Sequence, residues 1–441
     1  MSDLYAKLKQ FRQNTTEAPS KPAAGNPPES PAPSGGTAQP APASQSESGI
    51  YAYLKRGRDL VGAAQRRDEQ KRAYLFSIGM QEDAAGAYAV RELVYPHAQV
   101  AHGLDEIDSC QMARLANDEA FHAIDARQVL YLDTETTGLA GGAGTVPFLI
   151  GLGWFAAEGF RVRQYLMRDY DEESAVLEAI HNSLDGFAAV ASYNGKRFDL
   201  PLLETRFLLQ RQWLAAARWP HLDLLYPVRR IWRDVLPDCR LGRIESVILG
   251  RERAEDLPSE LIPYVYFDFL RGQRMHRMKP VITHNAEDIV SLASLTGYLC
   301  RLLRDPQRHG CQPAELIGAS TWHSRKQEWK EALRLLECAC EQGHEADRAL
   351  LWRMAMLHKR LRQWQEAVSL WRRLAEDYAD RGAWIELAKA YEHRLKQLPQ
   401  ALVCTERAMQ CCEREMTPPA LEASLQNRYQ RLQRKLALLK S

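Results

Sequence analysis

The sequence predicts an α/β domain, a mixed sheet with flanking helices, followed by an all-helical domain built from repeats. Three observations lead there. From Gln128 onward short apolar runs of strand character alternate with amphipathic helical segments. Past residue 315 the strand-like runs stop. From there to the C-terminus a single helical pattern recurs at a nearly fixed period. With 441 residues the chain can hold two or three domains, because one core usually serves roughly 100–200 residues. The expected division is a short helix and linker over 1–50, a partly helical extension over 51–125, the sheet domain over 126–305 and the helical domain over 315–441.

Residues 14–49 are rich in Pro, Ala, Ser and Gly with almost no large apolar side chain. Such a segment cannot bury enough surface to offset its ordering entropy, so it reads as a linker. SDLYAKLKQF before it and SGIYAYLKRG after it resemble one helix start written twice, each with a serine as cap. A duplicated docking peptide and a coincidence of two short helices stay equally open. The composition, 45% apolar and 26% charged, is that of an ordinary soluble protein. No stretch reaches the roughly 18 uninterrupted apolar residues of a membrane helix, and no signal h-region opens the chain. Nine scattered cysteines, without a CxxC pair, indicate neither a zinc knuckle nor a disulfide framework, so a reducing cytoplasm is the expected location. The net charge of +2 neither favours nor excludes nucleic acid, and any such contact must come from local patches.

In the sheet domain VLYLDTE (129–135) is the first strand, and TVPFLIGLGWF and FRVRQYLM, joined by AAEG, form a hairpin. DEESAVLEAIHNSL is a helix opened by acids, FAAVASYNG a further strand, and DLPLLETRFLLQRQ the helix after it. The span 222–275 reads as several short helices, and PVITHNAEDIVSLASLTGYLCRLL as one long amphipathic helix. Beyond 315, WKEALRLLECACEQG, WQEAVSLWRRLAEDY and LPQALVCTERAMQCC align on Ala332, Ala367 and Ala401, spacings of 35 and 34, each preceded by another helical segment. These helix pairs resemble tetratricopeptide repeats, with a plain helical bundle as the alternative. ASLQNRYQRLQRKLALLK would be the capping helix that a solenoid requires.

The chemistry starts at DTE. In a strand, residues i and i+2 share a face, so Asp133 and Glu135 present two carboxylates side by side. Their repulsion is relieved if a hard divalent cation such as Mg²⁺ or Mn²⁺ lies between them, although a strand end with two solvated acids is a common alternative. Asn194 and Gly195 end a later strand, and Phe198 and Asp199 open the next helix, which brings a third carboxylate to the same rim. Asp199 would also suit a helix first turn through the macrodipole alone. His284 and Asp288, four apart, share one face of the long helix. Asn285 with Asp288 also resembles an N-cap with an acid at N3.

DTETTG, then NGKRFD about 60 residues later, then HNAED resembles the three motifs of the DEDD superfamily of 3′→5′ exonucleases, which have a ribonuclease-H-like fold. The resemblance covers residues 128–303. More narrowly, DTETTGLAGGAGT with FLIGLGWF, QYLMRDYDEES, YNGKRFDLPLLETR, HLDLLYPVRRIW and IPYVYFDFL is similar to the bacterial YprB-like ribonuclease-H-like proteins, many of which carry C-terminal tetratricopeptide repeats. The resemblance implies that Asp133, Glu135, Asp199 and Asp288 hold two divalent ions, Mg²⁺ or Mn²⁺, and that His284 positions or deprotonates the attacking water. The two branches of the superfamily place a His five residues before the last Asp or a Tyr four before it. Here a His occupies the Tyr position.

Asp223, in HLDLL, is a reserve acid or the start of a helix. Seven arginines lie between Arg229 and Arg253, and Arg271, Arg274, Arg277 and Lys279 follow with no acid from Phe269 to Ala286. The second run precedes the His284 helix, so Arg274 and Arg277 are candidates for phosphate contact, with a solvated basic face the competing reading. Thr136, Gly138, Asn194 and Phe198 are further candidates for substrate contact, and the Gly141 to Gly144 loop is one that a terminal nucleotide could approach closely. The expected protein is a metal-dependent nuclease of the cytoplasm acting on DNA or RNA, with a protein partner on its repeats and no membrane association. A structure-specific endonuclease and a non-catalytic binding scaffold are the alternatives.

Overall fold

The computed structural model describes residues 46–100, 102–138, 144–253, 257–305, 311–414 and 418–438. It divides into two units, Met1–Gly62 and Ala63–Ser441. Helix α1 spans Ser46–Ser77, so the last four residues of the expected linker are helical. The rest of the linker, and SDLYAKLKQF before it, lie outside the described residues.

The second unit is organised around a seven-stranded sheet. Its strands are β1 (Gln81–Glu82), β2 (Ala89–Tyr95), β3 (Val129–Thr136), β4 (Pro147–Phe155), β5 (Phe160–Leu166), β6 (Ala189–Ser192) and β7 (His221–Asp223). They lie in the order β1-β2-β5-β4-β3-β6-β7. From β1 to β3 every pairing is antiparallel, whereas β6 and β7 add in parallel beside β3. The β4–β5 hairpin stands where the sequence put it. β1 and β2 arise in the stretch read as a partly helical extension. In AVRELVY, Arg91 and Glu92 interrupt the apolar run, and only pairing along the whole of β5 makes the segment a strand.

Neighbouring residues of β3 enter opposite cores, as a pleated strand requires. Tyr131 packs with Phe155, Phe160 and Val162 against Ile289 and Ala293 of α8 (Met278–Arg304). Leu130 and Leu132 pack with Leu152 and Tyr165 against Val176 and Leu177 of α3 (Glu173–Asn182) and Leu203 of α4 (Asp199–Leu209). Covered on both faces, β4 is almost continuously apolar rather than alternating. The other helices of the sheet domain are α2 (Ser109–Ala116), α5 (Leu225–Trp232), α6 (Leu241–Val247) and α7 (Ile262–Leu270), and the last three fall in the span read as several short helices.

The C-terminal region is helical: α9 (Pro313–Arg325), α10 (Trp329–Glu341), α11 (Arg348–Arg360), α12 (Trp364–Asp377), α13 (Arg381–His393), α14 (Leu398–Arg414) and α15 (Pro419–Leu438). α9 packs on α10, α11 on α12 and α13 on α14. The aligned residues Ala332, Ala367 and Ala401 are fully buried. The turn inside each pair holds one residue in the left-handed region, Gln327 (φ 61°), Arg362 (φ 60°) and Lys396 (φ 56°), so the period seen in sequence recurs in the backbone. α15 is fastened to α13 by Arg428, Arg431 and Lys435, which converge on the buried Glu392. Among the described residues no helix is long and apolar enough to cross a membrane.

Candidate active site

The site is built on one row of the sheet. Asp133 of β3 pairs with Gly151 of β4, and Gly151 with Gln164 of β5. Asn285 of α8 lies over this row. A Cβ on Gly151 would lie 3.0 Å from Asn285 Cγ and closer still to its Oδ1, so only glycine lets the amide come down onto the strand. Asn285 is fully buried, donates from Nδ2 to Asp133 Oδ2 at 2.8 Å, and accepts at Oδ1 from Gln164 Nε2 at 2.8 Å. Gln164 also donates to the Ile282 carbonyl, 2.7 Å away. The amide chain fixes Asp133 and locks the rotation of α8 at the same time.

That rotation carries His284 and Asp288 to the carboxylate edge. His284 Nε2 is 3.6 Å from Asp288 Oδ2 and 3.9 Å from Glu135 Oε1. Asp199, the first residue of α4, accepts at Oδ1 from Thr134 Oγ1 at 2.5 Å, which ties it to β3 between Asp133 and Glu135. Gly195 makes this approach possible, since a Cβ there would lie 2.7 Å from Ser192 Cβ and 3.2 Å from Asp199 Oδ2. Asp133, Glu135, Asp199, His284 and Asp288 therefore meet at one place, although they come from three separate stretches of the chain.

Burial, followed by the charges of Asp288, Glu135 and Asp199, holds the Asp133 carboxyl well above the usual carboxylate range. Glu135 is raised for the same reasons, by burial and then by Asp288 and Asp199. Burial pushes Asp199 up to about 6 against the hydrogen bond from Thr134. Asp288 is raised by burial although His284 and Arg253 oppose it. Carboxylates this close repel unless a cation joins them. The cation that the sequence did not single out is Arg253. Its guanidinium pairs with Asp288 Oδ1, donates to His284 Nδ1, and reaches Glu245 Oε2 from Nε at 2.6 Å. As these side chains stand, no three of the described His, Cys, Asp or Glu residues close on a common point as a finished metal cage. The donors are nonetheless all hard carboxylate oxygens, the chemistry that suits Mg²⁺ or Mn²⁺.

One expectation is corrected, and Asp223 takes the structural one of its two readings. Asn285 is not an N-cap: α8 begins at Met278, so Asn285 and Asp288 sit inside the helix, and the amide serves Asp133. Asp223 turns away to the backbone, accepting from the N–H groups of Asn194 (2.7 Å), Lys196 (3.1 Å) and Leu225 (3.1 Å). It shapes the turn that delivers Asp199, with Asn194 at φ 67° in the left-handed region. Thr136 is spent on its own loop, donating to the Gly138 carbonyl at 2.8 Å. Gly138 has open space around it, with Thr145 Oγ1 3.8 Å from where a Cβ would be. Phe198 is 52% exposed, immediately before Asp199. Arg274 pairs with Asp268 at 3.3 Å, and burial lowers the Arg277 guanidinium. Of the glycine loop, residues 141–143 lie outside the described residues, and Gly144 has no neighbour within van der Waals contact of a Cβ.

A protein-family model for the RNase_H superfamily, RNase_H_2, matches residues 130–300, the stretch that contains all five of these side chains. The uncharacterized protein YprB of Bacillus subtilis (strain 168) is 30% identical over 332 residues, covering 73% of this chain and 80% of its own. The chain belongs to the RNase_H superfamily. Among solved structures, the family B DNA polymerase of the hyperthermophilic archaeon Pyrobaculum calidifontis aligns with a TM-score of 0.32 at 15% identity, over 47% of this chain and 28% of the polymerase. The match covers β3 to β7 with the helices between and after them, whereas β1 and β2 precede it. The helical region after residue 312 lies outside the match.

Proposed function

We propose that the chain is a metal-dependent nuclease that hydrolyses phosphodiester bonds, trimming nucleic acid from the 3′ end of single-stranded or frayed substrates. The observation that carries this reading is the convergence of Asp133, Glu135, Asp199 and Asp288 at one sheet edge, where burial raises all four and the neighbouring acids raise Asp133 and Glu135 further. Membership of the RNase_H superfamily supports it. Those four carboxylates would hold two divalent ions, Mg²⁺ or Mn²⁺. When bound, such ions supply an activated water and neutralise the oxygen that leaves.

The chain's own residues prepare that centre. Asn285 and Thr134 hold Asp133 and Asp199 in place, so little reorganisation is needed when the site fills. His284, between Glu135 and Asp288, would take the proton of the attacking water at Nε2. The exposed ring of Phe198 offers a stacking face for the terminal base beside Asp199. The C-terminal helix pairs act as tetratricopeptide repeats that dock a protein partner, a reading supported by the recurring buried alanines and turn residues. The free thiols of the described cysteines fit a cytoplasmic protein.

The test is a panel of 3′- and 5′-labelled single-stranded DNA, RNA, duplex and circular substrates, with Mn²⁺, Mg²⁺ or chelator, comparing the native protein with Asp133→Ala. Metal-dependent shortening from the 3′ end, lost in the variant, is expected. Cleavage of the circle would make the protein an endonuclease at the same site. Turnover in Asp133→Ala equal to that of the native protein would end the reading.

A further inference from the structure

Arg253 occupies the position where positive charge is most needed. Its three nitrogens go to three different groups: Nε to Glu245, one terminal nitrogen to His284 Nδ1 and the other to Asp288 Oδ1. Glu245 is buried at 2% exposure and holds the guanidinium from behind, so the arm is fixed rather than fluttering in solvent. Arg253 itself is only 10% exposed along its side chain, and Asp288 12%. No motif that points to the acids includes Arg253.

We infer that Arg253 is a built-in counter-ion that closes the site in its metal-free form, and that a divalent cation must displace its guanidinium from Asp288 before it can bind there. This inference rests on the metal-dependent reading of the four carboxylates. The geometry gives the device two effects. The Asp288 oxygen that faces Arg253 is engaged by a donor, so it is not free to ligate. The same guanidinium lies against the His284 ring, one terminal nitrogen facing Nδ1 and 3.4 Å from Nε2, so it also occupies the space beside the proposed base. Displacement would therefore free a ligand oxygen and clear the space beside His284. A guanidinium cannot lose its charge, so it stabilises clustered carboxylates in a way that a water cannot, and the acids persist together without metal. Once off Asp288, the arm remains anchored to the buried Glu245.

The experiment is calorimetric titration of the metal-free full chain with Mn²⁺ alone, comparing native protein with Arg253→Gln. Removal of the competitor is expected to tighten Mn²⁺ binding by roughly tenfold or more. Metal-free Arg253→Gln should also melt lower, since four repelling carboxylates lose their cation, while the rise in melting temperature on adding Mn²⁺ becomes larger than in the native chain. If Arg253→Gln does not fold, Arg253→Lys is titrated instead, because a single ammonium head cannot bridge Glu245, His284 and Asp288 together. Any tightening again supports the inference. Unchanged or weaker binding in the variant, with clear binding in the native chain, overturns the role of Arg253 and leaves the metal site standing. No binding by either protein at millimolar Mn²⁺ overturns the metal reading and the inference with it.

Discussion

The row Asp133–Gly151–Gln164 with Asn285 above it yields a double-mutant cycle whose sign follows from geometry. In Gly151→Ala the new methyl overlaps Asn285, and the three nearest atoms around that Cβ are all atoms of Asn285. Overpacking of this kind costs about 1–3 kcal/mol. Asn285→Ala removes one hydrogen bond to a carboxylate and one to the Gln164 amide. A bond to a charged group is worth about 1.5–3 kcal/mol and a neutral one about 1 kcal/mol, so the loss is roughly 2–4 kcal/mol. Independent effects would sum to roughly 3–7 kcal/mol. In the double variant the obstacle to the methyl is gone, and the cost of Gly151→Ala should vanish. It could even reverse by a few tenths of a kcal/mol, because alanine is ordinarily the better strand residue. The coupling is therefore about 1–3 kcal/mol in favour of the double variant. Hydrogen exchange of the β4 and β5 amides reads the stability of this sheet separately from that of the helical region. Additivity within about 0.5 kcal/mol would refute the placement of Asn285 over Gly151.

Three further outcomes are expected. Asp223→Asn should lower stability by about 1.5–3 kcal/mol, since three backbone N–H groups lose a charged acceptor, yet leave Mn²⁺ affinity within twofold of native; a large loss of affinity would return Asp223 to the ligand set. His221, hydrogen-bonded to Ser192 Oγ at 2.7 Å, is depressed by burial to about 3, so between pH 3 and 6.5 the unfolded chain binds a proton that the folded one refuses. Its contribution is complete above pH 6.5 and lost on acidification, roughly 5 kcal/mol in all, and exchange protection of β6 and β7 in His221→Gln should show a flatter acid limb than native; identical limbs would refute it. Glu392→Gln leaves Arg428, Arg431 and Lys435 facing a neutral group; with Arg431 and Lys435 46% and 44% exposed, solvent screening reduces the effect and α15 should loosen by about 1–3 kcal/mol, measured as faster tryptic release of that helix; unchanged cleavage would show that apolar contacts alone hold it.

What the residues disclosed before folding, and what they withheld, separates by distance along the chain. Asp133 and Glu135 were readable because a strand has a period of two. Ala332, Ala367 and Ala401 were readable because a helix pair repeats itself. Asp199 and Asp288 needed the motifs around them, since nothing local says that they will meet. Asn285 resembles a cap because its neighbours fit one, whereas its partner, Asp133, is 152 residues away. Gly151 and Gly153 gave the missing hint: two glycines on one face of an otherwise bulky strand require something to come close, and that something is α8. Arg253 offered no such hint. It is one of seven arginines in a basic stretch, and only the fold distinguishes it, by placing the buried Glu245 behind it and Asp288 in front.

The same division bears on how the site works. The carboxylates proposed to hold metal belong to motifs, and their chemistry would be present on any scaffold that brought them together. The groups that decide when they act, namely Asn285 on Asp133, Thr134 on Asp199 and Arg253 on Asp288, are each held by a contact from another element. Thr134 and Asn285 donate hydrogen bonds without carrying charge, so they can keep their partners oriented whether or not a cation is present. Arg253 carries a full charge and, on the inference above, would compete with a cation for the same oxygen. Two of the three supports are thus compatible with a filled site and the third is not, which makes Arg253 the side chain that must move.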